Sequence, residues 1–284
     1  MEFIRPDWPA PAKVRAAMTT RTGGVSAGSY ESLNLGLGGD DPARVAENRR
    51  RLRAALALPG EPGWLKQVHG VTVVQLGDSP SHRSRGEGWG EGASNAPHPD
   101  PLPTFVGRGD DSCLFEADAS FTTQPGIVCA VQAADCLPVL FCDDAGSVVA
   151  AAHAGWRGLA AGVLEATVRA LPAQPAALMA WLGAAIGPQS FEVGAEVRDA
   201  FVAAAPAAAT AFVPLPRHSR EGGNPVFPKF HADLYALARQ RLAAAGVTRV
   251  SGGGLDTLRE RARFFSYRRD GRCGRMAALA WLAR

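Results

Sequence analysis

Two imidazoles and a thiol stand where apolar runs give way to Gly, Pro or Asp. They are His69 in Gln67-Val68-His69-Gly70, Cys136 in Ala134-Asp135-Cys136-Leu137-Pro138, and His153 in Ala152-His153-Ala154-Gly155-Trp156-Arg157-Gly158. Such junctions are where strands end, and the ends of several strands can share a cleft. Two nitrogens and one sulfur form the kind of three-ligand set that holds zinc with a fourth position open for chemistry. The three residues are much farther apart than the ligands of a zinc-finger motif, so spacing alone does not establish a shared metal. Histidines buried and satisfied by backbone are the alternative. Cys136 lies before one strand and His153 after the next, so their meeting depends on the fold.

The surroundings of His153 add a second chemistry. Gly155 and Gly158 flank an expected helix start, where free N–H groups favour an anion. Arg157 offers a planar fork suited to phosphate. Close packing of helix on sheet is an equal explanation for the two glycines. Asp135, beside Cys136, is placed either to orient His69 or His153 or to cap the following turn. Near the C-terminus, Phe264-Phe265-Ser266-Tyr267-Arg268-Arg269-Asp270-Gly271 combines aromatic surface with two arginines. It reads as a binding surface or as a plain hairpin with Phe265 inward and Arg269 in solvent.

The elements that must carry these residues can be read from pattern. Asp40-Asp41-Pro42 predicts a helix start, with the helix running to about Leu58. Strands are expected near residues 71–76, 127–132, 138–142, 147–152, 178–182, 247–251, 263–267 and 276–281. Asp143-Asp144-Ala145-Gly146 predicts a turn. Apolar periodicity predicts helices over 156–171, 193–205 and 232–245. Thr19 to Ser26 reads as a turn-rich loop. Strands and helices mix without regular βαβ alternation, which indicates an α+β layered fold and not a doubly wound sheet. The whole of 1–284 reads as a single domain. Two segments, 78–112 and 214–228, are rich in Gly, Pro, Ser, His and Asn and are expected to be disordered insertions. Their His82, His98 and His218 are therefore poor ligands.

Composition narrows the function. A net charge of +3, dispersed along the chain, argues against a nucleic-acid partner. No stretch approaches the apolar length of a membrane helix, and the first residues lack a signal-peptide layout. The five cysteines fit reduced thiols better than a disulfide framework, which places the protein in the cytoplasm. Cys129 and Cys142, within apolar strands, read as small core fillers.

Several of these strings together resemble the bacterial YfiH family, also called the laccase-domain, multicopper polyphenol oxidase-like or peptidoglycan editing factor family. They are Gln67-Val68-His69-Gly70, Ala134-Asp135-Cys136-Leu137-Pro138-Val139, Ala151 to Gly158, Ala185-Ile186-Gly187-Pro188 with Phe191-Glu192-Val193-Gly194, and Phe264 to Asp270. Thr19 to Ser26 and Ser32-Leu33-Asn34-Leu35-Gly36 match as well. The resemblance implies an α/β/β/α layered sandwich with mixed sheets and a catalytic zinc on His69, Cys136 and His153. It further implies phosphorolysis of purine nucleosides (adenosine, inosine, methylthioadenosine), with adenosine deamination as a companion activity. Arg21, Arg157, Tyr267 and Arg268 are the expected substrate contacts. Ala133 stands where the family usually has Thr, and Asp256 where it usually has Cys; the second departure is expected to bear on the pocket wall. Two other chemistries use the same residues. One is a cysteine-type hydrolase, or peptidoglycan-editing factor, with Cys136 as nucleophile. The other is a copper-dependent polyphenol oxidase, disfavoured because such a centre needs many more histidines than this chain's six.

Overall fold

Every residue is buried in Leu137–Asp143, Val149–Ala154 and Met276–Leu282. Strands covered on both faces read as unbroken apolar runs, which is how the sequence presents them. The computed structural model describes residues 1–77, 115–216 and 228–284. In chain order the strands are β1 (Phe3–Ile4), β2 (Val14–Thr19), β3 (Leu65–Lys66), β4 (Val73–Gln75), β5 (Phe115–Glu116), β6 (Ala119–Thr122), β7 (Val128–Ala133), β8 (Leu137–Asp143), β9 (Val149–Ala154), β10 (Leu178–Leu182), β11 (Glu192–Gly194), β12 (Phe212–Pro214), β13 (Lys229–Ala232), β14 (Arg249–Gly252) and β15 (Met276–Leu282). The α-helices are α1 (Pro42–Leu56), α2 (Trp156–Ala161), α3 (Val163–Ala170), α4 (Ala195–Ala204), α5 (Leu234–Ala244) and α6 (Tyr267–Asp270).

Two sheets form the centre, in the orders β1-β2-β15-β7 and β14-β10-β8-β9-β6-β4. Side-chain parity assigns the layers. Met276, Ala278 and Ala280 of β15 share one core with Leu140 and Cys142 of β8 and with Val149 and Ala151 of β9, so the two sheets face each other. Ala277, Leu279 and Trp281 point the other way, onto Leu52 and Leu56 of α1. Leu137, Val139 and Phe141 meet Leu164 of α3, Phe201 of α4 and Leu237 of α5. The result is the α/β/β/α sandwich that the resemblance implies. Cys129 and Cys142 are fully buried between the sheets, as small fillers. Among the described residues, no helix is long and apolar enough to cross a membrane.

Local signals explain most boundaries. Asp41 caps α1 by accepting from the Ala43 N–H at 2.9 Å, with Pro42 in the first turn. The expected single helix over 156–171 is two helices, because Gly162 takes φ +99° and closes α2 before α3 begins. No strand forms over 263–267. Phe264 and Phe265 are fully buried from irregular backbone, and Ser266 caps the short helix α6 by accepting from the Arg269 N–H at 3.2 Å. The strand expected at 147–152 starts two residues later, because Asp143 Oδ1 accepts from the N–H groups of Ser147 and Val148 and holds them in the turn. Pro214 pairs with Phe230 across β12 and β13, so the second expected insertion, 214–228, overlaps regular structure. Its remainder at 217–227, and the first insertion at 78–112, lie outside the described residues.

Candidate metal centre and cleft

The order of strands in the six-stranded sheet brings the chemical residues to one end of it. In the β8–β9 hairpin, Pro138 lies opposite His153 and Leu137 opposite Ala154, so Cys136 at the start of β8 meets the end of β9. Antiparallel pairing of β6 with β9 sets Ala119 opposite Ala152, which carries Asp118 to the side of His153. Parallel pairing of β4 with β6 then brings up the loop before β4, which carries His69. Cys136 and His153 share the parity of the residues that face the other sheet, so both side chains turn the same way.

The ligand atoms of His69, Cys136 and His153 all lie within 4.8 Å of one another. Cys136 Sγ and His69 Nε2 are 3.8 Å apart, and the two imidazole rings meet edge-on with centroids 4.8 Å apart. A tetrahedral zinc with bonds of about 2.0–2.3 Å would separate its ligands by about 3.3–3.7 Å, so closing the set needs no separation to shrink by more than about 1.5 Å. The donor set is the chemically right one, and it leaves a position open.

Asp118, which no local pattern marks out, holds the set in place. Its carboxylate is fully buried and accepts from His153 Nδ1 at 2.9 Å, which leaves His153 Nε2 to face the other two donors. It also accepts from three successive backbone N–H groups: Val68 at 3.2 Å, His69 at 2.9 Å and Gly70 at 2.6 Å. That convergence fixes the loop with His69 at φ +63°, a left-handed conformation unusual outside glycine. The only signal in sequence was a single acidic residue within the otherwise small and apolar Ala117-Asp118-Ala119. Asp135 does not orient either histidine. Its Oδ1 accepts from Thr257 Oγ1 at 2.6 Å and its Oδ2 from the Arg268 N–H at 2.7 Å. Gln67 adds a further brace: its side-chain amide pairs with the backbone of Gln132 in β7 through bonds of 2.8 and 2.7 Å.

Electrostatics follow from the same contacts. Burial raises the Cys136 thiol, but the facing charge and hydrogen bonds of His153 and His69 outweigh it and bring the thiol below its ordinary value. His153 moves oppositely: burial disfavours its cation, while Cys136 and Asp118 more than restore it. Both shifts run in the direction that favours the charged pair over the neutral one. Asp118 is held below the usual carboxylate range because its bonds to His153 and the loop N–H groups outweigh its burial.

The two glycines after His153 serve packing. A Cβ on Gly155 would stand 2.8 Å from His69 Cδ2 and 3.0 Å from Cys136 Sγ; on Gly158 it would stand 2.9 Å from the Gly70 carbonyl oxygen. Helix α2 can approach the ligand loop only because both lack side chains.

Around the ligand set lies a cleft of about 570 Å³ whose lining includes Trp156, Arg157, Phe191, Tyr267, Arg268 and Arg275. Of the expected substrate contacts, Arg157, Tyr267 and Arg268 line it. The Arg157 guanidinium stacks on Trp156 at 4.4 Å and has no hydrogen-bond partner among the described residues. Arg21 does not line the cleft. It donates to the carbonyls of Glu31 and Arg261 at 2.9 and 3.2 Å and lies over the Phe265 ring at 4.7 Å, which makes it a brace between segments. Asp256 is also absent from the lining, whereas Ala133 is part of it. Arg269, expected in solvent, is half-buried and donates to the carbonyls of Thr257, Leu258 and Phe264. Gln67, Gln132, Phe191 and Arg275 are cleft residues not picked out as contacts by sequence, since nothing local marks a residue that faces a cleft built from distant strands.

Residues 15–283 match the family described as multi-copper polyphenol oxidoreductase laccase. The chain belongs to this family. Among its laccase-family relatives, a purine nucleoside phosphorylase of Pseudomonas aeruginosa is 51% identical over 281 residues, covering 99% of this chain and 98% of the relative. The purine nucleoside phosphorylase YfiH of Escherichia coli is 48% identical over 282 residues, covering 99% of both. The crystal structure of Neisseria meningitidis protein NMB0706 superposes with a TM-score of 0.79 at 45% identity, covering 100% of each chain. YlmD from Geobacillus stearothermophilus gives 0.75 at 30% identity, over 100% of this chain and 97% of the other. The laccase-family fold thus accounts for both central sheets and for the cleft between their ends.

Proposed function

We propose that the chain is a zinc-dependent purine nucleoside phosphorylase acting on adenosine, inosine and methylthioadenosine, with adenosine deamination as a companion reaction. The observation that carries this reading is the convergence of the His69–Cys136–His153 set with arginines and aromatic rings in one cleft. The relatives' names support it, since they are purine nucleoside phosphorylases of about half identity. A zinc ion on the three ligands would supply Lewis-acid stabilisation of developing negative charge.

Phosphorolysis joins a phosphate oxygen to the sugar's anomeric carbon and breaks the bond from that carbon to the base nitrogen. The base leaves with the bonding electrons and takes up a proton. Arg157 suits the phosphate, because its N–H groups are unspent among the described residues and Trp156 holds it in place. Arg268 already donates to the Glu192 carbonyl, and Arg275 to the carbonyls of Cys273 and Gly274, so each brings fewer free donors. Tyr267, 57% exposed, presents ring surface for the purine. We place the protein in the cytoplasm, where Cys129, Cys136, Cys142 and Cys273, all free, stay reduced.

One observation favours a second reading. Cys136, His153 and Asp118 stand in the order nucleophile, base and orienting carboxylate, which is the arrangement of a thiol hydrolase. Against it, His69 at 3.8 Å from the sulfur has no task in that chemistry. The copper oxidase suggested by the family's description needs additional imidazoles. Among the described residues the third histidine, His231, lies on β13 and belongs to no such group.

The deciding assay incubates metal-quantified protein with adenosine, with and without phosphate. Phosphate-dependent release of adenine and ribose 1-phosphate, abolished by a chelator and restored by zinc, is the expected result. Inosine as sole product would make the protein a deaminase. Turnover that survives chelation would favour the thiol hydrolase.

A further inference from the structure

The residue before the metal-ligating cysteine reaches away from the metal. Asp135 adopts φ +89°, its carbonyl accepts from the Ile186 N–H at 2.9 Å, and its carboxylate joins two other segments. One oxygen accepts from Thr257 Oγ1 at 2.6 Å, the other from the backbone N–H of Arg268 at 2.7 Å. Thr257 is fully buried, and its own N–H is bonded to the Ala185 carbonyl at 3.0 Å. Arg268 belongs to α6, which is only four residues long.

A single turn of helix does not persist by itself. Helix α6 exists because its unpaired N–H groups are met from outside: Arg269 by Ser266 Oγ and Arg268 by Asp135. Its Tyr267 and Arg268 line the same cleft as the ligand set. Asp135 therefore touches both walls, being bonded in sequence to Cys136 and through space to the element that presents Tyr267 and Arg268.

We infer that Asp135 is a positioning residue that docks α6 against the ligand loop, so that affinity for a purine nucleoside depends on it while metal binding does not. This deepens the functional reading above and rests on it. The chemistry of the two contacts predicts how substitutions differ. Asn keeps the backbone conformation; its amide oxygen can accept from Arg268 N–H while its NH2 donates to the Thr257 hydroxyl, which rotates to accept. Gly also tolerates φ +89° but removes both contacts.

The test compares wild type, D135G and D135N for KM and kcat with inosine, equilibrium binding of inosine, zinc content, and amide exchange at residues 268–270. For D135G, loss of a charge-assisted bond should raise KM and the inosine dissociation constant about tenfold, with a smaller change in kcat. Its zinc content should match wild type, and its α6 amides should exchange faster. D135N should raise KM by no more than about threefold and leave exchange near wild type. The inference is overturned if D135G loses zinc and kcat together with α6 exchange unchanged, if its inosine affinity is unchanged, or if D135N is as impaired as D135G. Should wild type show no phosphorolysis, the functional reading fails by that result alone. The exchange and binding measurements still decide the role of Asp135.

Discussion

The carboxylate of Asp118 takes hydrogen bonds from one imidazole and from three backbone N–H groups of the loop that carries the other. Its removal should therefore disturb two ligands at once: His153 loses the partner that fixes its ring, and His69 loses the anchor of its strained backbone. Asp118→Ala is expected to weaken zinc binding by about 10–100-fold, as partners behind metal-ligating histidines generally do. Competition against a chromophoric chelator measures this directly. Asp118→Asn should fall between that variant and wild type, because an amide offers one accepting oxygen where four donors converge. Asp256 is a different kind of acid. Its carboxylate accepts from Ser190 Oγ at 2.6 Å and from the N–H groups of Leu258 and Arg259. These bonds outweigh its burial and depress it below the ordinary carboxylate range. A depressed carboxylate adds stability that is present above its unfolded value and is lost as pH falls through its folded one. Wild type should thus melt at a higher temperature than D256N at neutral pH, with the gap closing in acid. A gap that stays constant down to strongly acidic pH would show that the carboxylate's charge is not what stabilises the fold.

At the scale of elements, the site depends on how closely α2 approaches the loop of residues 67–70. Gly155 lies at the junction of β9 and α2, where an added methyl group would meet His69 Cδ2 at 2.8 Å and Cys136 Sγ at 3.0 Å. Gly155→Ala should push His69 outward, since that residue is exposed and is the softer neighbour. Zinc affinity is expected to fall by at least about tenfold, while the overpacking costs about 1–3 kcal/mol of stability. Circular dichroism and thermal melts, run beside the zinc titration, would separate a displaced ligand from an unfolded protein. A variant that binds zinc normally would mean that α2 can retreat without cost to the site.

For the whole molecule, the inter-sheet core and the candidate metal centre draw on different residues of the same strands. Leu140, fully buried on β8, faces the four-stranded sheet well inside the sandwich. Leu140→Ala should cost about 2–5 kcal/mol, a large part of the stability of a typical domain, and leave zinc affinity unchanged. Urea unfolding and a zinc titration on the same preparation test both halves. The two kinds of information were also unequally legible. Buried strands announced themselves as apolar runs and the cap of α1 as Asp-Pro, because periodicity and capping are local properties; His69, Cys136 and His153 stood out by donor type alone, and the fold brings them together. The same locality hid Asp118 and the task of Asp135, made Arg21 a substrate contact although it lies outside the cleft lining, and read the residues of α6 as the end and turn of a hairpin. Each of those depends on a partner far away in sequence: residues 68–70 for Asp118, Thr257 and Arg268 for Asp135, Arg261 and Phe265 for Arg21. Strand order decides which of those partners meet, and strand order is settled only when the two sheets close on their common core.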